Sequence, residues 1–174
     1  MSDSKATQIE KWTHLLLSWA LLILGILAAI RITARSEWFL IIGLFLLAGY
    51  EIFHWYYSYQ RTFFSLIKAC IDVIAAIVCI TSLSVANLDM MLLVFPLWGI
   101  VIGIAHVAHF LFLYRQGEGG GGWALLCGFF SFLSGLLMLI LPILGIMTMS
   151  EFSDMLAGFI FLLHGVYIIV EAYK

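Results

Sequence analysis

Hydrophobic residues occur in six long runs that are separated by short polar connections. The runs cover residues 12–32, 38–57, 63–83, 90–114, 123–144 and 152–173. Each run has about the 20 apolar residues that a helix needs to cross a hydrocarbon core about 30 Å thick. Residues 15–30 are apolar on all sides rather than alternating with polar residues, which excludes the strands of a membrane barrel. The pattern therefore predicts an all-α integral membrane protein with six transmembrane helices.

The composition agrees with a lipid environment. Of the 174 residues, 64% are hydrophobic and 10% are charged, whereas a soluble domain has about 25% charged residues. We expect residues 1–11 to form a cytoplasmic N-terminal tail and residues 12–174 to form a single transmembrane domain. The net charge of -2 and the lack of a basic stripe exclude a nucleic-acid partner. The predicted partner is the lipid bilayer, and association with a second copy or another membrane protein stays open.

The basic residues predict the orientation. Six spans place both termini on one side of the membrane. That side would hold Lys5, Lys11, Arg61, Arg115 and Lys174, whereas the opposite connections hold Arg31 and Arg35. Because loops rich in Lys and Arg stay in the cytoplasm, both termini are expected to be cytoplasmic.

The second, fourth and sixth runs share an order of residue types: an apolar stretch, a glycine, and polar residues within about two turns. Gly49 precedes Glu51 and His54, Gly103 precedes His106 and His109, and Gly165 precedes Tyr167 and Glu171. This similarity indicates three tandem helical hairpins. Since each hairpin would begin on the same side of the membrane, the three repeats would be parallel.

Small residues mark expected contacts between helices. Gly99 and Gly103 form a GxxxG pattern, and Gly128 and Gly135 lie in the following run. Small residues let the backbones of membrane helices approach closely. We expect these glycines to be packing sites, either within the chain or between chains.

Several ionisable residues interrupt the apolar runs. They are Glu51, His54, Lys68, Asp72, His106, His109, His164 and Glu171. A charge at the centre of a spanning helix costs about 2.5–3.5 kcal/mol on insertion scales, so each one needs a partner or a purpose. Most of them would fall in the cytoplasmic half of the membrane. Pairs at spacings of three or four residues lie on one helix face and could meet in one polar cluster.

This predicted cluster has more than one interpretation. A carboxylate near several imidazoles could change its charge with pH, because histidine titrates near pH 6.5 and small environmental shifts move this value across the physiological range. Glu51, His54, His106 and His109 could instead bind a transition metal, although the charge of Lys68 would oppose it. A structural interpretation pairs Lys68 with Asp72 along one helix. It assigns the histidines, His164 included, to packing and to hydrogen bonds between helices.

Other candidate chemistry is weak. No motif for catalysis is present, so neither an enzymatic activity nor a cofactor is predicted. Cys70, Cys79 and Cys127 lie in apolar runs and are expected to be buried thiols. His14, next to Trp12, is expected to lie at the membrane boundary.

The third hairpin carries a resemblance to a known family. Tyr114-Arg115-Gln116 precedes it, Trp123 opens it, and Gly128-x6-Gly135-x6-Pro142 follows. With three hairpins across residues 12–173, the chain resembles the HdeD family of small bacterial inner-membrane proteins. The resemblance implies a six-helix protein of the inner membrane, linked in some members to acid resistance. We therefore expect a non-enzymatic protein of the stress response. A proton-coupled transporter or channel, and an intramembrane metal-binding protein, remain the alternatives.

Overall fold

The computed structural model describes residues 3–30, 36–57, 63–84, 88–117, 122–145 and 149–173. These residues form six helices. They are α1 Asp3–Ile30, α2 Ser36–Tyr57, α3 Phe63–Ser84, α4 Leu88–Arg115, α5 Gly122–Ile143 and α6 Met149–Ala172. All six are long and apolar enough to cross a membrane. The described chain is thus all-helical, in agreement with a polytopic membrane protein.

The first helix differs most from the predicted run. α1 begins at Asp3 rather than at residue 12, and its apolar part covers Gln8–Ile30. The segment expected to be a tail is therefore helical from Asp3 and continuous with α1. The orienting charges at Arg31, Arg35, Arg61 and Lys174 lie outside the described residues.

Glycine ends two of the helices. Gly117 follows α4 with a φ of 80°, and Gly145 follows α5 with a φ of 69°. The backbone N–H of Gly117 donates to the Tyr114 carbonyl at 3.1 Å, and that of Gly145 donates to the Pro142 carbonyl at 3.0 Å. Because glycine adopts positive φ without steric cost, it closes the last turn of each helix.

The helices form a closed ring. Each helix packs against its neighbours along the chain, and α1 packs against α6. α6 also contacts α2 and α4. The most extensive contacts are those of α4 with α5 and of α1 with α6. The first and last helices are therefore neighbours in space.

Glycines make both of these close contacts. A Cβ atom on Gly103 of α4 would lie 2.6 Å from the backbone nitrogen of Phe132, and one on Gly135 of α5 would lie 2.6 Å from the Pro96 carbonyl. On the other side of the ring, a Cβ atom on Gly25 would lie 2.8 Å from the Gly158 carbonyl. The backbones thus approach too closely for any larger residue at these positions.

Many large apolar side chains cover the outside of the bundle. On α1, Trp12, Leu16 and Trp19 are each more than half exposed, whereas Ser18 and Leu21 are fully buried. Large apolar residues on the outside form a surface that lipid tails cover well. This distribution agrees with a bilayer around the six helices.

Candidate functional site

Lys68 and Glu51 form a buried ion pair between α3 and α2. The Lys68 side chain is almost fully buried, and its Nζ atom lies 2.6 Å from Glu51 Oε1. The predicted pairing of Lys68 with Asp72 on the same helix is wrong. Packing of α2 against α3 brings Glu51 within reach of Lys68, a contact that helix spacing does not reveal. A buried charge is tolerated when it is paired in this way.

Asp72 is linked to α4 instead. The indole Nε1–H of Trp98 donates to Asp72 Oδ1 at 2.7 Å, and both side chains are buried. The Trp98 ring also packs against Phe161 of α6, with 5.5 Å between the ring centroids. Trp98 therefore holds the Asp72 carboxyl group in the interior between three helices.

His106 of α4 and His164 of α6 are joined by their rings. The two Nε2 atoms lie 3.1 Å apart, and His164 Nδ1 lies 2.8 Å from the Ile160 carbonyl oxygen. A carbonyl only accepts, so His164 Nδ1 carries the hydrogen. In the neutral pair His164 Nε2 then accepts from His106 Nε2–H. His106 Nδ1 is left with a buried lone pair that has no hydrogen-bond partner among the described residues.

These contacts join into one set, which we call the interior polar chain. It consists of Glu51, Lys68, Asp72, Trp98, His164 and His106. Lys68 and Asp72 are one turn apart on α3, and the rings of Trp98 and His164 have centroids 6.3 Å apart. The interior polar chain connects α2, α3, α4 and α6. Glu51, Lys68 and His106 lie toward the end of the bundle that contains the start of α1 and the end of α6, whereas Trp98 lies before the midpoint of α4.

Three of the predicted cluster residues lie outside the interior polar chain. His109 stacks on Phe64, with 5.5 Å between the ring centroids. His54 and Glu171 line a cavity of about 380 Å³ at the end of the bundle. The structure thus distributes the eight predicted residues over more than one place.

We call this cavity the terminal-end cavity. Its lining residues are Glu10, Lys11, His14, His54, Glu171, Ala172 and Tyr173. They belong to the beginning of α1 and the ends of α2 and α6. Tyr50 packs beside the cavity, with its ring centroid 5.2 Å from that of His14 and 5.7 Å from that of His54.

Sequence reasoning missed His14 as a member of this site. Its side chain is only 4% exposed and contacts the His54 ring, with 5.7 Å between the centroids. The available signal was the spacing of Glu10 and His14, which places both on one face of α1. Trp98 and Cys127 were also missed, because their partners are on other helices.

The groups able to hold a metal differ from the predicted set of Glu51, His54, His106 and His109. One group is Glu10, His14 and His54, and another is His106, Cys127 and His164. In each, the three ligand atoms lie within 4.8 Å of one another. Glu51 is occupied by Lys68.

The cysteines follow the expectation in two positions of three. Cys79 and Cys127 are buried, whereas Cys70 is exposed and that part of the prediction is wrong. Cys70 lies on the outward face of α3, which an apolar run does not distinguish from the inward face. All three thiols are free.

Comparison with known proteins found no match for this sequence or structure. No protein-family model matches the chain, and neither a curated protein nor a solved structure does so. Function must therefore be argued from the site itself.

Proposed function

We propose that this chain is an HdeD-like, non-enzymatic protein of the bacterial inner membrane, with both termini in the cytoplasm, that acts in the response to acid stress. Its interior polar chain takes up protons and changes the packing of the helices that it joins. The resemblance noted in the sequence suggests acid as the condition. The geometry of the interior polar chain supports the physical step.

The observation that carries the proposal is the net charge of the interior polar chain. It contains two carboxyl groups, Glu51 and Asp72, and one ammonium group, Lys68. When all three are ionised, the set carries one net negative charge, because Lys68 pairs with Glu51 and Asp72 accepts a hydrogen bond from the neutral Trp98 indole while lying one turn from Lys68. One added proton makes the set neutral. Because charges are costly in the interior, uptake of this proton is coupled to the arrangement of the helices.

The histidine pair offers a second position. In the neutral pair, His106 Nδ1 is the lone pair left open to a proton. Other titratable groups lie near this region: Tyr50 on α2, Lys68 on α3, His109 on α4, Cys127 on α5 and Tyr167 on α6. Lys68 is near enough to act electrostatically on His106 and His164.

Protonation would change contacts between helices rather than contacts within one helix. A proton on Asp72 weakens the charge-assisted bond from Trp98 and loosens α3 from α4. Proton uptake can thus shift the population between tightly and loosely packed forms.

The three-hairpin organisation belongs to the same proposal. After α4 with α5 and α1 with α6, the next most extensive contact is that of α2 with α3. Each of these contacts joins the second helix of one proposed hairpin to the first helix of the next. This cyclic pattern supports three parallel repeats around an axis along the membrane normal.

The test follows the two proton positions by NMR. Protein labelled with ¹⁵N, in nanodiscs, is titrated between about pH 4 and pH 7, the range of carboxyl and imidazole groups. We expect the Trp98 indole signal and the His106 ring signals to shift with pH. Asp72→Asn, which keeps an oxygen acceptor for Trp98, should abolish the Trp98 shift. His106→Gln should remove the ring titration of the pair.

His109→Gln is the matched control for the Trp98 signal, since His109 lies on the same helix as Trp98 and stacks on Phe64 rather than on Asp72. It should leave the Trp98 shift unchanged. Signals that stay constant throughout the titration, or the same Trp98 shift in Asp72→Asn, would contradict the physical step. In cells lacking the gene, Asp72→Asn should restore acid survival less well than His109→Gln. Equal restoration would contradict the role in stress.

A further inference from the structure

We propose that Glu10, His14 and His54 bind a divalent transition-metal ion at the terminal-end cavity. This site shares no residue with the interior polar chain, and the inference does not depend on the function proposed above. It rests on the ligand geometry, on two unsatisfied ring nitrogens and on the charge of the cavity wall.

The three side chains converge from two helices. Glu10 and His14 are one turn apart on α1, and His54 comes from the last turn of α2. Their ligand atoms lie within 4.8 Å of one another. Donors on one metal ion at about 2.0–2.2 Å are about 3–4 Å apart, so modest side-chain rotation closes the site. Two imidazoles and one carboxylate form a recurring ligand set for such ions.

Unsatisfied nitrogens point to a missing partner. His14 Nε2 and His54 Nδ1 are buried and have no hydrogen-bond partner among the described residues. His14 is more than nine-tenths buried, yet it lines the cavity. A buried polar atom without a partner is costly, and an ion or water is the usual reason for one. A metal ion would use the lone pair of each ring.

The charge of the cavity favours a cation. Glu10 supplies a carboxylate to the described wall, where its oxygen lies with the two imidazoles as a charged ligand for a cation. Lys11 Nζ lies 4.4 Å from the centroid of the Tyr173 ring, where a cation–π contact holds it. The cavity, with a volume of about 380 Å³, leaves room for water in the open coordination positions of the ion.

The ligand chemistry selects the class of ion. Imidazole with carboxylate suits Zn²⁺, Fe²⁺ or Co²⁺ rather than Cu⁺, which prefers thiolate. The second group, His106, Cys127 and His164, is the rival location because it includes a thiol. There, however, the two histidines already satisfy each other by a hydrogen bond. The terminal-end cavity is therefore the better site.

The experiment uses Co²⁺ as a spectroscopic probe and Zn²⁺ as its competitor. The full chain, purified without a histidine tag and placed in nanodiscs, is titrated with Co²⁺ while visible absorption is recorded. We expect one Co²⁺ per chain, d–d bands, no thiolate charge-transfer band, and displacement by Zn²⁺. His14→Gln and His54→Gln should each lower the affinity at least about 100-fold, since loss of an outer-shell partner alone costs about 10–100-fold.

Two further variants make the result decisive. His109→Gln, a buried histidine outside the cavity, should bind Co²⁺ as the wild type does. Glu10→Gln changes a half-buried residue near the start of α1 and should lower the affinity without unfolding the chain, as judged by helix content and thermal melting. Absence of one-to-one binding, a thiolate band, or unchanged affinity in Glu10→Gln and in both histidine variants would overturn the proposal.

Discussion

Lys68 supplies the positive charge of the interior polar chain, and its removal should be severe. Lys68→Met leaves the buried Glu51 carboxylate without its partner at 2.6 Å. Breaking one side of a buried ion pair costs about 3–5 kcal/mol. We expect a loss of that size in the free energy of unfolding, measured by denaturant titration in mixed micelles.

The double variant Glu51→Met with Lys68→Met separates pairing from packing. Two apolar residues of similar volume often match or exceed the stability of a buried ion pair. The double variant should therefore recover most of the loss of Lys68→Met. If it were no more stable than the single variant, lost packing rather than an unpaired charge would be the cause.

At the residue scale, sequence alone located Glu51, Lys68 and Asp72 inside apolar runs, and the structure buries all three, but the sequence did not show which residues meet. Spacing along one helix suggested Lys68 with Asp72, whereas the actual partner of Lys68 is Glu51 on α2. The partner of Asp72 is Trp98 on α4. These choices depend on which helices are neighbours and how each is rotated. Periodicity within one helix carries neither piece of information.

At the element scale, the close contact between α4 and α5 can be tested by replacing one of its glycines. Gly103→Ala places a Cβ atom 2.6 Å from Phe132 N and 2.7 Å from the Gly128 carbonyl. These are backbone atoms that can move only if the helices separate. Such overpacking costs about 1–3 kcal/mol, so we expect that loss in the free energy of unfolding in micelles.

Gly49→Ala is the control for this substitution. A Cβ atom on Gly49 of α2 meets nothing within 4 Å. Since alanine favours a helix over glycine by about 1 kcal/mol, this variant should be neutral or slightly more stable. Equal destabilisation by both substitutions would mean that the α4 contact with α5 is not what makes Gly103 sensitive.

The helices themselves were largely predictable, because a run of about 20 apolar residues has few other uses. The ends of α2 at Tyr57 and of α5 at Ile143 lie within one residue of the predicted runs. α1 begins at Asp3, before the apolar run expected from residue 12, because Asp3 and the polar residues after it carry no apolar signal while still favouring a helix. Hydropathy locates the part of a helix in lipid and not the part beyond it.

At the scale of the whole molecule, closure of the ring by α1 and α6 implies that chain order can be changed. Lys11 of α1 lies over the ring of Tyr173, which follows α6, so the end of α6 lies beside α1 about two turns after α1 begins. Adjacent termini make circular permutation feasible. One permutant joins the end of α6 to the start of α1 by a short flexible linker and has its new termini within residues 58–62. Every helix keeps its direction in the membrane.

We expect this permutant to insert and to retain wild-type contacts between α1 and α6, because both helices are still present and still joined at the same end. A second permutant, opened within residues 118–121, should behave alike if the repeats are equivalent hairpins. Protease protection in membranes reports insertion, and cross-linking of cysteines placed at Leu22 and Gly165, which face each other, reports the contact. Insertion without this cross-link would contradict the closed ring, because the linker brings the two helices no closer than the wild-type packing does.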